Sequence, residues 1–212
     1  MYVPPHFAET DRATLLEAMA RFPLAVLITN GPDGFHANHL PMLYDPEPAP
    51  LGALLAHVAR PNPQWHDARD ATDALAIFSG PDAYVTPAWY QATRETGKVV
   101  PTWNYVAVHA RGTLRAFDDR TRLRELVARL TTQHETGFPE PWSMGDAPPD
   151  YIDTMLGAIV GLEMSVTSLT GKWKLSQNRP ESDRQRVEHE LRASPSPRDV
   201  ATGEEMERLR ER

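Results

Sequence analysis

The N-terminal two-thirds of the chain alternates between short apolar runs and turn segments rich in glycine, proline and asparagine. Phe22–Thr29 is almost wholly apolar, which is typical of a buried strand. Asn30–Gly34 (NGPDG) is dense in turn residues, and an extended pattern resumes over Phe35–Tyr44, so the two runs predict a hairpin. Pro46–Pro50 predicts a surface loop, because its three prolines cannot continue a strand ladder. Hairpin-linked strands with inserted helices predict an antiparallel barrel of about six strands decorated with helices, a mainly β, α+β fold.

The remaining elements follow from the same reading of periodicity and turn residues. Helices are predicted at Thr10–Arg21, Asn62–Ala68, Thr121–Thr132 and Tyr151–Ile159. Strands are predicted at Leu51–Val58, Ala74–Ser79, Tyr105–Phe117 and Val160–Leu169, and a loop at Gly137–Pro149. Residues 180–212 carry nine acids and seven arginines, which predicts two solvent-facing helices. The chain is therefore divided into a barrel domain over residues 1–179 and a charged helical tail over residues 180–212.

Composition excludes several classes of protein. The 212 residues and 41% hydrophobic content favour one globular domain. A chain without cysteine holds no disulfide, thiolate metal site, iron–sulfur cluster or Cys nucleophile. No apolar run reaches the ~18 residues of a membrane span, the N-terminus lacks the pattern of a secretory signal, and a cytoplasmic location is expected. The net charge of −7 argues against direct DNA binding.

Two of the three lysines lie in one nonapeptide, Gly171–Arg179, in a chain that otherwise uses arginine. If this segment is extended, Lys172 and Lys174 share one face, toward a ligand cleft, while Trp173 and Leu175 share the other, toward the barrel core. Side chains that donate hydrogen bonds follow directly after it. Such a cluster suits a small multivalent anion, above all a phosphate ester. A solvated basic turn at the end of a strand is the alternative, and the nonapeptide by itself leaves both open.

Two further segments suggest ligand contacts. Arg60 follows an apolar strand and precedes a predicted helix, where it can bind a phosphate with two hydrogen bonds; the alternative is a surface arginine paired with a nearby aspartate. Trp103 and Asn104 can stack on a flat heteroaromatic ring and hydrogen-bond its edge; the alternative is a core tryptophan beside a turn-forming asparagine. His36 and His39, three apart on a predicted strand, point to opposite faces, so no metal site is predicted.

Seven segments together, in order and spacing, resemble the PaiB family, and the resemblance covers roughly the first 180 residues. They are Met1–Phe7, Ala37–Pro41, His57–Arg60, Phe78–Pro81, Ala83–Val85, Val100–Tyr105 and Lys172–Asn178. Members of this family are described as FMN-binding negative transcriptional regulators. Their fold is similar to the split barrel of pyridoxamine-phosphate-oxidase-like flavoproteins, which are usually homodimers with FMN at the subunit interface.

The resemblance implies one FMN per subunit, with its phosphate near Arg60, Ser79 and Lys174 and its ring near Asn38, His39 and Trp103. The full set of implied cofactor-binding residues is Asn38, His39, Leu40, His57, Arg60, Ser79, Trp103, Asn104, Lys172, Lys174 and Gln177. The catalytic residues stay unassigned.

Three functions are compatible with this resemblance, and a degenerate barrel with no bound cofactor is a fourth alternative. The first is a homodimeric flavoprotein, acting either as an FMN-dependent oxidoreductase or as a flavin-based regulator. The second is a transcriptional repressor whose flavin is regulatory or absent, which requires a markedly basic face on an acidic chain. The third is a haem-binding or haem-degrading split barrel, for which His39 and His57 are the candidate ligands. Whether the protein is an enzyme is left open by the sequence.

Overall fold

A computed structural model of the protein describes residues 1–47 and 50–212; Pro48 and Ala49, in the predicted proline-rich loop, lie outside the described residues. The strands in these ranges are β1 (Ala8–Glu9), β2 (Leu24–Gly31), β3 (Gly34–Pro41), β4 (Leu43–Asp45), β5 (Ala53–Ala59), β6 (Thr72–Val85), β7 (Thr102–Phe117) and β8 (Ile159–Lys174). The α-helices are α1 (Arg12–Arg21), α2 (Gln64–Asp67), α3 (Gln91–Glu95), α4 (Arg120–Glu135), α5 (Pro149–Gly157), α6 (Glu181–Arg192) and α7 (Pro197–Arg210).

The eight strands form one sheet in the order β3-β2-β6-β7-β8-β5-β4, with β1 paired to β8. The pairs β2/β3, β2/β6, β4/β5, β5/β8 and β1/β8 are antiparallel, as predicted. The sheet has two more strands than expected because β1 has only two residues and β4 only three. Runs this short carry no readable alternation in the sequence.

The hairpin predicted around the Asn30–Gly34 turn is confirmed. Strands β2 and β3 pair in register from Leu24 opposite Pro41 to Gly31 opposite Gly34. Gly34 has a φ of 109°, a conformation that glycine adopts without steric cost. Ala25 and Leu27 are completely buried, in line with the apolar character of β2.

Strand β6 continues well past the predicted end at Ser79 and includes the Gly80-Pro81 pair. Along it, burial falls on even-numbered residues up to Phe78 and on the odd-numbered Ala83 and Val85 beyond. This change of phase is what a bulge-like irregularity produces, and glycine and proline are accepted in strands at such positions. The predicted end of this strand at Ser79 is therefore wrong.

The chain divides into two compact units. The first unit comprises Met1–Leu15, Ser79–Val108 and Thr170–Arg212, and the second comprises Leu16–Phe78 and His109–Leu169. In the second unit, α4 buries one apolar side: Leu123, Leu126 and Leu130 are at most 5% exposed. They pack in clusters with residues of β4, β5 and α5.

The two predicted C-terminal helices are present in the first unit as α6 and α7, but they are not simply solvent-facing. Val187 and Leu191 of α6 are completely buried, and Met206 of α7 is 4% exposed. The Asp183 carboxylate accepts a hydrogen bond of 2.7 Å from the backbone N–H of Gln91. Charged residues dominate the composition of this segment, so the composition did not predict that these few apolar side chains are buried. The domain boundary at residue 180 stays a prediction.

None of the helices in the described ranges combines the length and the apolar character needed to cross a membrane.

Candidate functional site

The end of β8 and the turn after it fix the lysine-containing nonapeptide. The side chain of Gln177 accepts a hydrogen bond of 2.7 Å from the N–H of Leu175 and donates one to the carbonyl of Trp173. Ser176 has a φ of 66°, which closes the turn in the left-handed region at a cost of about 1–2 kcal/mol for a non-glycine residue. Gln177, predicted to contact the cofactor, thus has its amide engaged by its own turn.

Trp173 and Leu175 point into the interior, with exposures of 3% and 2%. The prediction that these two side chains face the core is confirmed. Since neighbouring residues of a strand alternate between faces, Lys172 and Lys174 lie on the opposite side of β8.

The Lys172 ammonium group is held by the N-terminal segment. Its Nζ donates a hydrogen bond of 3.2 Å to the carbonyl of Tyr2. It lies 5.2 Å from the centroid of the Tyr105 ring and 5.8 Å from that of the Tyr2 ring, within range of a cation–π interaction. Lys172 is therefore buried, at 8% exposure, rather than open to a cleft as expected.

The Lys174 ammonium group is half-buried and donates hydrogen bonds to the Thr102 hydroxyl and the Trp103 carbonyl. Burial lowers the pKa of Lys174, and the nearby charges of Lys172 and Arg179 lower it further. The groups that accept these hydrogen bonds from Lys174 are neutral, and so is the carbonyl that accepts the hydrogen bond from Lys172. Within residues 1–47 and 50–212, no salt bridge joins either lysine to a carboxylate. The pair thus keeps a positive charge that an anion can neutralise.

An open groove of about 450 Å³ lies in the same unit and is lined by Ser79, Trp103 and Tyr105, among others. Trp103 is 52% exposed, and its ring meets that of Tyr84 edge-on, with 5.9 Å between centroids. The groove shares Tyr105 with the surroundings of Lys172, and it shares Trp103 with those of Lys174. Trp103 thus offers an exposed stacking surface in a groove that shares residues with the surroundings of both ammonium groups.

Asn104, next to Trp103 on β7, points the other way. It is completely buried. Its Oδ1 accepts a hydrogen bond of 3.1 Å from the Ser176 hydroxyl, and its Nδ2 lies 3.5 Å from the sulfur of Met206. The contact predicted between Asn104 and the flavin ring stays a prediction, and this inward orientation does not favour it. The alternation that exposes Trp103 is the same one that buries Asn104.

The other predicted site residues, Asn38, His39, Leu40, His57 and Arg60, belong to the second unit and are described by themselves. Asn38 is part of an amide network: its Nδ2 donates to Gln64 Oε1 at 2.8 Å, and its Oδ1 accepts from Asn62 Nδ2 at 3.2 Å. Gln64 is completely buried and also donates to the carbonyl of Leu27 at 3.0 Å. These contacts hold the start of α2 against β2 and β3.

His39 and Leu40, which follow Asn38 on β3, have opposite environments. His39 is exposed, whereas Leu40 is buried. On β5, His57 has a buried Nδ1 without a hydrogen-bond partner among the described residues, and burial lowers its pKa. A neutral imidazole is thus favoured at His57.

Arg60 is engaged in four hydrogen bonds. Its guanidinium group binds both carboxylate oxygens of Asp118, at 2.9 and 2.6 Å, and donates to the carbonyls of Gly157 and Ile159. The hydrogen bond to Asp118 raises the pKa of Arg60, and the same contact lowers that of Asp118. This is the alternative considered in the sequence, a surface arginine paired with an aspartate. The phosphate contact of Arg60 stays a prediction.

Four residues that contact the lysine pair are not among the predicted cofactor-binding residues: Tyr2, Phe7, Thr102 and Tyr105. Phe7 places its ring centroid 5.9 Å from Lys174 Nζ. All four lie within the segments Met1–Phe7 and Val100–Tyr105, which carry the PaiB resemblance. Strand alternation from Trp103 would have identified Tyr105, which lies two residues further on the same face.

Residues 1–168 match the protein family described as "Putative FMN-binding domain". The chain belongs to this family. Protease synthase and sporulation protein PAI 2 from Bacillus subtilis is 30% identical over 207 residues, which are 98% of this chain and 97% of that protein. An uncharacterized protein from Emericella nidulans is 32% identical over 222 residues, 88% of each chain. The predicted resemblance to the PaiB family is confirmed, and so is FMN as the cofactor for which the family is described.

The fold is similar to that of the flavocytochrome Anf3 from Azotobacter vinelandii. The TM-score is 0.59 at 13% sequence identity, and the match covers 92% of this chain and 79% of Anf3. At this identity the likeness concerns the fold alone. Together with the antiparallel sheet, it confirms the predicted fold class, a split barrel with helices.

Proposed function

We propose that this member of the FMN-binding family holds the phosphate of FMN at Lys172 and Lys174 and stacks the flavin ring on Trp103. The observation that supports this most is that the two lysines, which have no carboxylate partner in the described part of the chain, share neighbours with a groove lined by an exposed indole. Lys174 is the better placed of the two, because it is less buried than Lys172. Arg60 and Ser79 stay predicted phosphate contacts.

The residues of the first unit fit such a group. An ammonium ion gives a phosphate a charge-assisted hydrogen bond, and Lys174 uses two of its three donors on the Thr102 hydroxyl and the Trp103 carbonyl. These two contacts orient the third donor. When bound, FMN supplies redox chemistry, which serves equally in an oxidoreductase and in a flavin-based regulator. The choice between these two roles rests on whether a bound flavin turns over.

A visible absorption spectrum of the purified protein, followed by titration with FMN, tests this proposal. We expect flavin bands and saturation at one FMN per chain. The characteristic band of haem, or no binding of FMN, would contradict it. Turnover of the bound flavin with a nicotinamide donor would then favour the oxidoreductase, and its absence the regulator.

A second copy of the chain is part of this proposal. Trp103 and Tyr84 are 52% and 47% exposed, and large apolar side chains left in water favour association. We expect a homodimer, which light scattering at micromolar concentration would measure as twice the mass of the chain; a monomer would contradict this. A cytoplasmic location also stays part of the proposal.

A repressor that binds DNA directly is the second candidate function. The name of the Bacillus subtilis relative links that protein to protease synthesis and sporulation, which is compatible with a regulatory role. The net charge of −7 opposes direct DNA binding. We therefore expect no tight binding to duplex DNA at physiological salt, and sub-micromolar, salt-sensitive binding would favour the repressor instead.

A further inference from the structure

The segment that follows α4 in the second unit holds two large aromatic side chains out in water. Phe138 is 60% exposed and Trp142 is 44% exposed. They are separated by the sequence Pro-Glu-Pro, and none of the predicted cofactor-binding residues lies in this Phe138–Trp142 loop. Large apolar side chains that are exposed together, rather than singly, mark an interaction surface.

Both ends of the loop are fixed to Glu135, the last residue of α4. The backbone N–H of Phe138 donates a hydrogen bond of 3.0 Å to the Glu135 carbonyl, and the N–H of Trp142 donates one of 2.9 Å to its carboxylate. Between these contacts, two prolines fix φ and reduce the number of conformations open to the unbound loop. A partner that binds the aromatic side chains therefore orders little additional backbone, which favours affinity.

The charge around the loop is negative. Residues 130–171 contain six acids and no lysine or arginine. Asp153 and Glu163 are paired with arginines of α4. The other four form no salt bridge with any side chain that the structure describes: Glu135, Glu140, Asp146 and Asp150. The loop thus combines an apolar surface with an excess of negative charge.

An open pocket of about 430 Å³ adjoins the loop and is lined by Glu135, Phe138, Pro139 and Glu140. It places an aromatic ring beside two carboxylates. One oxygen of Glu135 already accepts the hydrogen bond from Trp142, whereas Glu140 is exposed. An arginine side chain suits this combination, because its aliphatic stem packs on apolar groups while its guanidinium group stacks on an aromatic face and binds a carboxylate.

We propose that the Phe138–Trp142 loop binds an arginine-containing segment of another protein, with an arginine at Phe138 and Glu140 and an apolar neighbour on Trp142. Contact of the loop with the same loop of a second copy would bring like charges together, so the local charge favours a basic partner. This role goes beyond the proposed flavin function, since no residue of the loop belongs to the predicted flavin site.

Tryptophan labelling allows the loop to be observed directly. Full-length protein labelled with fluorotryptophan is titrated with a hexapeptide of alternating arginine and leucine and followed by fluorine NMR, with Trp142→Phe used to assign the resonance. We expect the Trp142 resonance to shift along a saturable curve, while that of Trp103, an exposed tryptophan in the first unit, does not move. No shift at Trp142, or an equal shift at Trp103, would overturn the proposal.

The preference for a cation is tested with the same signal. A hexapeptide in which the neutral citrulline replaces arginine should bind several-fold more weakly, and one in which glutamate replaces arginine at least tenfold more weakly. The citrulline peptide binding as tightly as the arginine peptide would contradict the role of charge. A Trp142 resonance that shifts with protein concentration in the absence of peptide would identify a second copy as the occupant and overturn the proposal.

Matched variants separate charge from apolar contact. Glu140→Gln should weaken binding of the arginine peptide several-fold and leave the citrulline peptide unchanged, whereas Glu125→Gln, at an exposed position on α4, should change neither. Phe138→Ala should weaken both peptides. All three positions are exposed, so urea unfolding of each variant should match that of the wild type. Arginine-peptide binding that is insensitive to Glu140→Gln would overturn the role of the carboxylate, and binding that is insensitive to Phe138→Ala would overturn the location.

Discussion

At the scale of the residue, Lys174 is the side chain whose charge state matters most. Its surroundings disfavour the ammonium form, because burial removes water and because Lys172 and Arg179 contribute like charges. A bound phosphate reverses the second effect. The same site that makes an isolated ammonium group unfavourable therefore makes the pairing of that group with an anion more favourable.

The affinity for FMN should consequently fall as the pH rises through the lowered pKa of Lys174, because the neutral amine no longer attracts the phosphate. Bound phosphate raises this pKa, so the affinity should fall between the lowered pKa of the free protein and the higher pKa of the complex, and should level off above it. We expect Lys174→Arg to keep its affinity throughout, since a guanidinium group stays charged. Fluorescence titrations of both proteins from neutral pH to the ordinary lysine value of 10.5 would measure this.

Any titration of the flavin itself is common to the two proteins and cancels in the comparison. The free energy of unfolding changes with pH in the opposite direction to the affinity. The unfolded chain binds more protons than the folded chain between the lowered pKa and 10.5, so the free energy of unfolding should rise with pH in that window. Identical pH profiles for the wild type and Lys174→Arg would show that Lys174 does not carry the effect.

At the scale of the element, strands β7 and β8 each carry a tryptophan, one on an exposed face and the other on a buried face. On β7, Trp103 is 52% exposed while its neighbour Asn104 is buried; on β8, Trp173 is 3% exposed while Lys174 is half-buried. The two tryptophans thus have opposite roles. One packs the interior, and the other is available to a ligand.

Replacing each tryptophan by alanine separates these roles. Trp173→Ala should lower the free energy of unfolding by about 3–5 kcal/mol, the range for a large buried side chain. Trp103→Ala should change it by no more than about 0.5 kcal/mol but weaken FMN binding by about 0.5–1.5 kcal/mol through the loss of stacking. Urea unfolding and FMN titration of both variants would measure the difference. Equal destabilisation by the two changes would contradict the assignment of faces.

Strand alternation is also what the sequence could predict. The positions of Trp173 and Leu175 followed from a period of two, a purely local property. The partners of the cations did not follow, because Asp118 is 58 residues from Arg60 and Tyr2 is 170 residues from Lys172. No periodicity reports contacts between residues so far apart. The sequence thus predicted which types of side chain could bind a ligand and which face of a strand they share. Whether a charged side chain is neutralised or buried depends on the tertiary structure.

At the scale of the whole molecule, the predicted cofactor-binding residues are distributed over two compact units. The first unit contains Lys172, Lys174 and Trp103, and the second contains Arg60. In the second unit, the guanidinium group of Arg60 is paired with a carboxylate; in the first unit, the two ammonium groups are not. The central claim is therefore that the first unit provides the charge that holds the phosphate of FMN.

The most direct test compares FMN with riboflavin, which lacks the phosphate, as ligands of the wild type, Lys174→Ala and Lys98→Ala. Lys98 is the third lysine of the chain and is not among the residues that line the groove. We predict that Lys174→Ala weakens FMN binding by about 1.5–3 kcal/mol, roughly 10- to 150-fold, and leaves riboflavin binding unchanged, while Lys98→Ala affects neither ligand. FMN binding as tight as in the wild type, or an equal loss for both ligands, would contradict the claim that Lys174 holds the phosphate.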